Sequence, residues 1–221
     1  MRKAAVLFSG GKDSCLALFK TKEKYDVRYL LNIFPENKDS FMFHKPNLEL
    51  LNKQAENLGI ELIVKESKGE KEKELGDLKE LINLVRDKID VIVIGGIASS
   101  YQGKRIKKIC EELNLEVYAP LWNYTAEKLW KDLLDNKFKV ILTKISCEGV
   151  EAGWLGKSID RKRFSELKKL AVRYKFRLDF EGGEGETAVL FMPGMKKEIK
   201  IKFDIKSEGE YRHWIDVKEV K

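Results

Sequence analysis

Short apolar runs alternate with amphipathic stretches from the N-terminus to about residue 145, and that rhythm predicts strands and helices in turn. Ala4 to Phe8 reads as a strand, Cys15 to Lys24 as a helix, and Val27 to Phe34 as an apolar strand ending at Pro35, which together make a βαβ unit. Pro46 and Asn47 open a helix whose Leu48, Leu51, Ala55 and Leu58 fall at helical spacing, with Gly59 placed to terminate it. Ile60 to Val64 is the next strand. Leu75, Leu78, Ile82, Val85 and Ile89 mark one face of a charged helix, and Val91 to Ile94 is a continuous buried strand closed by Gly95-Gly96. A helix through Ile106, Ile109, Cys110 and Leu113, a strand at Leu115 to Tyr118, a helix near Thr125 to Asn136 and a strand at Lys139 to Ile145 complete the alternation. Such alternation implies an α/β fold, a doubly wound and mostly parallel sheet with right-handed crossovers and helices on both faces.

The rhythm changes after about residue 150. A helix carrying Phe164, Leu167, Leu170, Ala171 and Tyr174 precedes the glycine-rich segment Glu181 to Thr187, and strand-like segments follow near 188 to 192, 198 to 204 and 211 to 218. The expected division is therefore a nucleotide-binding domain over 1–150 and a small C-terminal α+β domain for substrate recognition over 151–221.

In an open parallel sheet, ligands sit beyond the carboxyl ends of the strands, and both glycine pairs, Gly10-Gly11 and Gly95-Gly96, fall at that edge. The first belongs to Ser9-Gly10-Gly11-Lys12-Asp13-Ser14, a turn between a strand and a helix that suits phosphate. Glycines let the backbone approach an anion closely, and the helix start adds partial positive charge. Ser9 and Ser14 supply hydroxyls, Lys12 a full charge, and Asp13 a carboxylate for magnesium. The turn does not fit G-x-x-x-x-G-K-[ST]. Residues 153–158 end like that pattern, but Glu151 stands where its first glycine belongs.

Composition narrows the classes. A length of 221 residues allows one full domain plus a small one. A net charge of +7 and an isoelectric point near 9.1 favour acidic partners such as ATP, RNA or an acidic protein surface, although the charges are interleaved rather than gathered into a stripe. Cys15, Cys110 and Cys147 are far apart with no C-x-x-C pair, which suggests neither a disulfide framework nor a zinc site. The two histidines, His44 and His213, form no metal-binding pair. A five-residue apolar run at the N-terminus is too short for a signal peptide, and no run reaches membrane-spanning length, so a cytoplasmic protein is expected.

Two more segments carry chemistry. Gly95 to Arg105 follows a buried strand and precedes a helix, so its backbone N–H groups with Ser99, Ser100, Tyr101, Gln102 and Arg105 are placed to meet a nucleotide or its adduct. Glu181-Gly182-Gly183-Glu184-Gly185-Glu186-Thr187 gathers carboxylates that repel one another, which a cation bound between them would relieve: magnesium, an ammonium group or a cationic substrate.

Together with Ser40-Phe41-Met42-Phe43-His44, Pro120-Leu121-Trp122 and Trp154-Leu155-Gly156, these blocks resemble the diphthine-ammonia ligase (diphthamide synthetase) family of N-type ATP pyrophosphatases, the PP-loop enzymes, over nearly the whole chain. One departure is visible: the family usually has phenylalanine where this chain has Gly185, which bears on loop flexibility and substrate fit. The resemblance implies a fold like that of the HUP, or adenine nucleotide alpha hydrolase, group. It implies amidation of diphthine on translation elongation factor 2 through an acyl-adenylate, with ATP converted to AMP and pyrophosphate and ammonium as nitrogen donor. Adenine would rest at Ile33 and Phe34. Phosphates would occupy Ser9 to Ser14 with Gly95 and Gly96 nearby, and magnesium would sit on Asp13. Lys12, Asp13, Glu184 and Glu186 would serve catalysis. The trimethylammonium group of diphthine suits carboxylates and aromatic faces, here Glu184 or Glu186 with Trp122 or Trp154. His44, Glu181, Gly182, Gly183 and Thr187 complete the expected substrate side. Two rivals remain at this level: adenylation of a tRNA base for thiolation or amination, and an ATP-binding module without catalysis. Oligomeric state, a homo-oligomer included, is left open.

Overall fold

The computed structural model describes residues 1–35, 47–68, 73–96 and 100–221, and of Lys73, Ser100, Tyr101 and Gln102 the backbone only. His44, Ser99 and the Ser40 to His44 block lie outside the described residues, as do the side chains of Tyr101 and Gln102.

Residues with no polar face to show must be covered from both sides. Ala4, Ala5 and Val6 of β1 (Lys3–Leu7) and all of β4 (Val91–Val93) are fully buried, and each strand lies inside a parallel sheet. That sheet has the order β3-β2-β1-β4-β5, with β2 at Asp26–Pro35, β3 at Glu61–Ser67 and β5 at Glu116–Tyr118. Helices α1 (Lys12–Thr21), α2 (Leu48–Leu58), α3 (Lys73–Asn83) and α4 (Ser100–Glu112) connect the strands. On one face Ala5, Leu31 and Ile92 pack with Leu78, Leu81, Ile82, Ile106 and Cys110 of α3 and α4. The doubly wound α/β expectation therefore holds for this unit.

Helix ends follow local chemistry. The Asn47 side chain accepts a 2.8 Å hydrogen bond from the Leu50 N–H, and Gly59 closes α2 at φ 65°, where a side chain would be strained. Helix α3 is shorter than its apolar spacing predicts. It stops at Asn83, and the chain tightens into a 3-10 turn at Arg86–Lys88. Val85 and Ile89 are buried all the same. The turn brings the Asp90 N–H onto the Lys3 carbonyl at 2.8 Å, and that bond leads into β4.

The second unit departs from the expected plan. Strand β6 (Lys139–Ser146) is not a sixth parallel strand; it pairs antiparallel with β7 (Gly185–Phe191) and with β9 (Arg212–Val220), in a sheet ordered β7-β6-β9-β8 with β8 at Ile201–Glu208. Helices α5 (Ala126–Asp135) and α6 (Arg161–Tyr174) belong here too, tied together where the fully buried Trp130 stacks on Phe164 at 5.5 Å and donates from Nε1 to the Leu178 carbonyl at 2.8 Å. The chain accordingly divides at Asn123 and Tyr124 instead of near residue 150, and Gly10–Lys12 cluster with the second unit. The alternation of apolar segments continues through β6 and hides this, because a buried antiparallel strand carries the same apolar run as a parallel one. Among the described residues, no helix is long and apolar enough to cross a membrane.

Candidate active site

The strand order reverses between β1 and β4, and the turns that leave these two strands are the two glycine segments. A Cβ on Gly95 would lie 2.8 Å from the Ser14 nitrogen and 2.9 Å from the Asp13 carbonyl carbon and the Ser14 Cα. Only glycine allows the second segment this close to the first. Within the first turn, the Ser9 and Ser14 hydroxyl oxygens are 3.2 Å apart, and the Ser9 N–H donates to Ser14 Oγ at 3.3 Å.

The entry to this turn is fixed by a residue that the sequence reading passed over. Asn32 interrupts the apolar run of β2, is 6% exposed, and donates from Nδ2 to the Phe8 carbonyl at 2.8 Å. A lone amide inside an apolar strand is the signal that could have flagged it. Its neighbour Ile33 is buried and pairs across to Lys65 of β3, with Phe34 half-buried beside it, so these two offer backbone and not the Ile33 side chain to a ligand.

Residues 10–12 pack as part of the second unit. The free edge of β7 is closed by the Val189 N–H donating to the Gly10 carbonyl at 3.0 Å, while Thr187 Oγ1 accepts from the Lys12 N–H at 3.2 Å. Thr187, expected on the substrate side, thus also braces the Ser9–Ser14 turn. Lys12 itself is 3% exposed, and its Nζ donates to the Asp179 carbonyl at 2.7 Å. The Asp179 carboxylate receives two hydrogen bonds from Arg177 at 2.8 Å and one from the Glu181 N–H at 3.1 Å. Burial pushes this carboxyl up, but the Arg177 hydrogen bonds, the Glu181 N–H and the charges of Arg177 and Lys12 outweigh it and hold the group below the ordinary carboxylate range. Asp179 and Arg177 carry no motif that marks them; only their place just before the glycine loop could have drawn notice.

The acidic loop relieves its repulsion internally. Glu186 pairs with Lys144, its cross-strand neighbour on β6, at 3.0 Å. Glu184 accepts from the backbone N–H groups of Arg177 at 3.1 Å and Gly182 at 2.9 Å, folding the loop around itself. Glu181, Gly182 and Gly183 are exposed. A bound cation is therefore not required to hold these carboxylates together, and among the described residues no group of three or more metal-ligating side chains occurs.

Asp13 is half-buried in the first turn of α1. A single carboxylate beside a glycine-rich turn at a helix start is compatible with magnesium, which keeps several waters and takes one or two carboxylates plus phosphate oxygens. Arg105 is half-buried on α4, and Trp122, 44% exposed, lies 3.6 Å from the Cβ that Gly103 lacks. Trp154 borders a cleft of about 510 Å³ with Glu151, Lys157, Arg163 and Glu166, and the Arg163 guanidinium lies 5.7 Å from its ring.

The cysteines match their reading as reduced packing residues. Burial pushes the Cys15 thiol far up, Cys110 up to about 12 and Cys147 up to about 11, so all three are protonated at neutral pH.

Comparison with known proteins follows this division. The diphthamide synthase N-terminal domain matches residues 2–117, and the diphthamide synthase C-terminal domain matches residues 125–221. A diphthine–ammonia ligase of Bos taurus is 31% identical over 219 residues, covering 89% of this chain and 82% of that protein. The Homo sapiens protein of the same name is 30% identical with the same coverage. That of Schizosaccharomyces pombe is 32% identical over 218 residues, which are 89% of this chain but 36% of a much longer protein. A solved structure from Methanocaldococcus jannaschii, titled as a predicted subunit of tRNA methyltransferase, is similar at 21% identity and a TM-score of 0.45, covering 90% of this chain and all of that one. With both of its halves matched, the chain belongs to the diphthamide synthase family.

Proposed function

We propose that the protein uses ATP to amidate diphthine on translation elongation factor 2, forming a carbon–nitrogen bond as the cow and human relatives' name describes. The observation that carries the chemistry is the turn Ser9 to Ser14 at the switch point of the sheet, approached so closely by Gly95 that no side chain fits between them. Adenine rests on the backbone at Ile33 and Phe34, and the phosphates lie against the Ser9 to Ser14 turn with Gly95 and Gly96 alongside. Lys12 leaves the Asp179 carbonyl, or shares itself with it, to balance charge on the departing pyrophosphate. Asp13 would hold magnesium, whose contribution is to neutralise the phosphate oxygens.

The substrate carboxylate oxygen bonds to the α-phosphorus as pyrophosphate leaves, giving an acyl-adenylate. Ammonia then bonds to the acyl carbon, AMP departs with the bridging oxygen, and nitrogen loses its extra proton. For the trimethylammonium group the exposed ring of Trp122 is the better receptor, because Arg163 already places a cation against Trp154. Glu184 and Glu186 are the alternative receptors and would give up their present partners to serve, and Arg105 with Ser99, Tyr101, Gln102 and His44 would meet the acceptor. Thiolation of tRNA is disfavoured by the absence of a C-x-x-C pair and by the burial of Cys15 and Cys110.

Incubation with ATP, magnesium, ammonium and either diphthine-bearing elongation factor 2 or tRNA tests the proposal. AMP, pyrophosphate and the mass change of a hydroxyl replaced by an amino group on the factor are expected. ADP with orthophosphate, modification of tRNA instead, or intact ATP would each overturn it.

A further inference from the structure

We infer that Phe180 is the positioning residue for Lys12: its ring takes the space above Gly185 and holds the Lys12 ammonium at the phosphate turn. The inference rests on reading Ser9 to Ser14 as the phosphate cradle. Phe180 has φ 59°, a conformation that residues with side chains avoid and that glycine adopts freely. It is kept there by a close set of contacts. Its N–H donates to the Arg177 carbonyl at 3.1 Å, its carbonyl accepts from the Gly183 N–H at 3.2 Å, and its ring, 6% exposed, stacks on Phe176 at 6.3 Å and 14°.

Two consequences follow from that placement. The Lys12 Nζ lies 5.8 Å from the Phe180 ring centroid, inside the range of a cation–π contact, while the same amine donates to the carbonyl of the preceding residue, Asp179. A cation so buried needs such partners, since leaving water without them is costly. A Cβ on Gly185 would lie 3.0 Å from the Lys144 carbonyl oxygen, tighter than ordinary contact, and touch Phe180 Cδ1 at 3.5 Å and Cγ at 3.7 Å. A side chain entering from 185 would therefore start between that carbonyl and this ring. The strained backbone is tolerated because it turns both the ring and the Asp179 carbonyl toward one ammonium.

The first test needs no substitution. In the intact protein, the Lys12 ε-methylene resonances should show the upfield displacement of protons over an aromatic face, and ordinary random-coil positions would overturn the inference. Calorimetric titration with pyrophosphate and magnesium then compares Phe180→Tyr, Phe180→Leu and Lys12→Ala. Phe180→Tyr keeps a ring and should bind within about twofold of the parent, whereas Phe180→Leu should bind about fivefold more weakly and lose the upfield displacement. Wild-type affinity in Phe180→Leu, or equal loss in the tyrosine variant, would overturn the inference. Wild-type affinity in Lys12→Ala would instead bring down the phosphate-cradle reading, and the two failures are thus separable.

Discussion

A single methyl group at position 95 would meet three backbone atoms of the Ser9–Ser14 turn, all within 2.9 Å. Real Cβ atoms do not come so near to backbone, and all three atoms met are backbone, which cannot swing aside as a side-chain end could. Gly95→Ala should therefore push the β4 exit away from α1. The expected cost is roughly 1–3 kcal/mol of unfolding free energy, as for other overpacked sites, with ATP affinity falling about tenfold because the N–H groups lose their arrangement. Denaturant titration and calorimetry check the two parts separately. A variant that binds ATP like the parent would mean that the closeness of these segments is packing alone. The sequence showed Gly95 as one of a pair at a strand end, but the need for glycine at 95 comes from which backbone its Cβ would strike, and spacing carries no such information.

At the scale of elements, the segment from Arg177 to Thr187 does more than a flexible acidic loop would. It ties Lys12 through Asp179, folds Glu184 onto its own N–H groups and enters β7 with Thr187 bracing the turn. The Asp179 carboxyl is held below its ordinary range, so its contribution to stability is present above the unfolded carboxylate's pKa of about 4 and is lost as pH falls through the lower folded value. Asp179→Asn should cost about 1–3 kcal/mol at neutral pH by removing charge-assisted bonds to Arg177. The gap between variant and parent should narrow below about pH 4, where the parent's carboxyl also gains its proton. A gap that stays constant from neutral to acid in thermal melts would show that the charge of Asp179 contributes nothing. Carboxylate crowding was legible in the sequence and its resolution was not, because Lys144 and Arg177 are brought to Glu186 and Asp179 by the β6–β7 register and by the turn before β7.

For the molecule as a whole, the parallel unit was readable because its strands are short apolar runs separated by helical spacing, and the Asn47 and Gly59 caps fall where the pattern stops. The assignment of β6 and the break at Asn123 were not, since pairing partners are chosen by contacts far along the chain: Val140 with Val189, Lys144 with Trp214. The sequence also gives no sign that Gly10–Lys12 cluster with residues more than a hundred positions away. That membership has a measurable result. Within that second unit Gly10 and Lys12 are bonded to Val189 and Thr187, so a ligand gripping the turn acts on residues that β7 holds. At a hundred times its dissociation constant, a ligand that binds only folded protein adds about 2.7 kcal/mol of stability. Hydrogen exchange with ATP and magnesium should therefore slow in peptides covering β1 and α1 and also in β7, where the Val189 N–H is held by Gly10. Protection confined to β1 and α1 would mean that ligand binding leaves the Gly10 and Thr187 bonds to β7 unchanged.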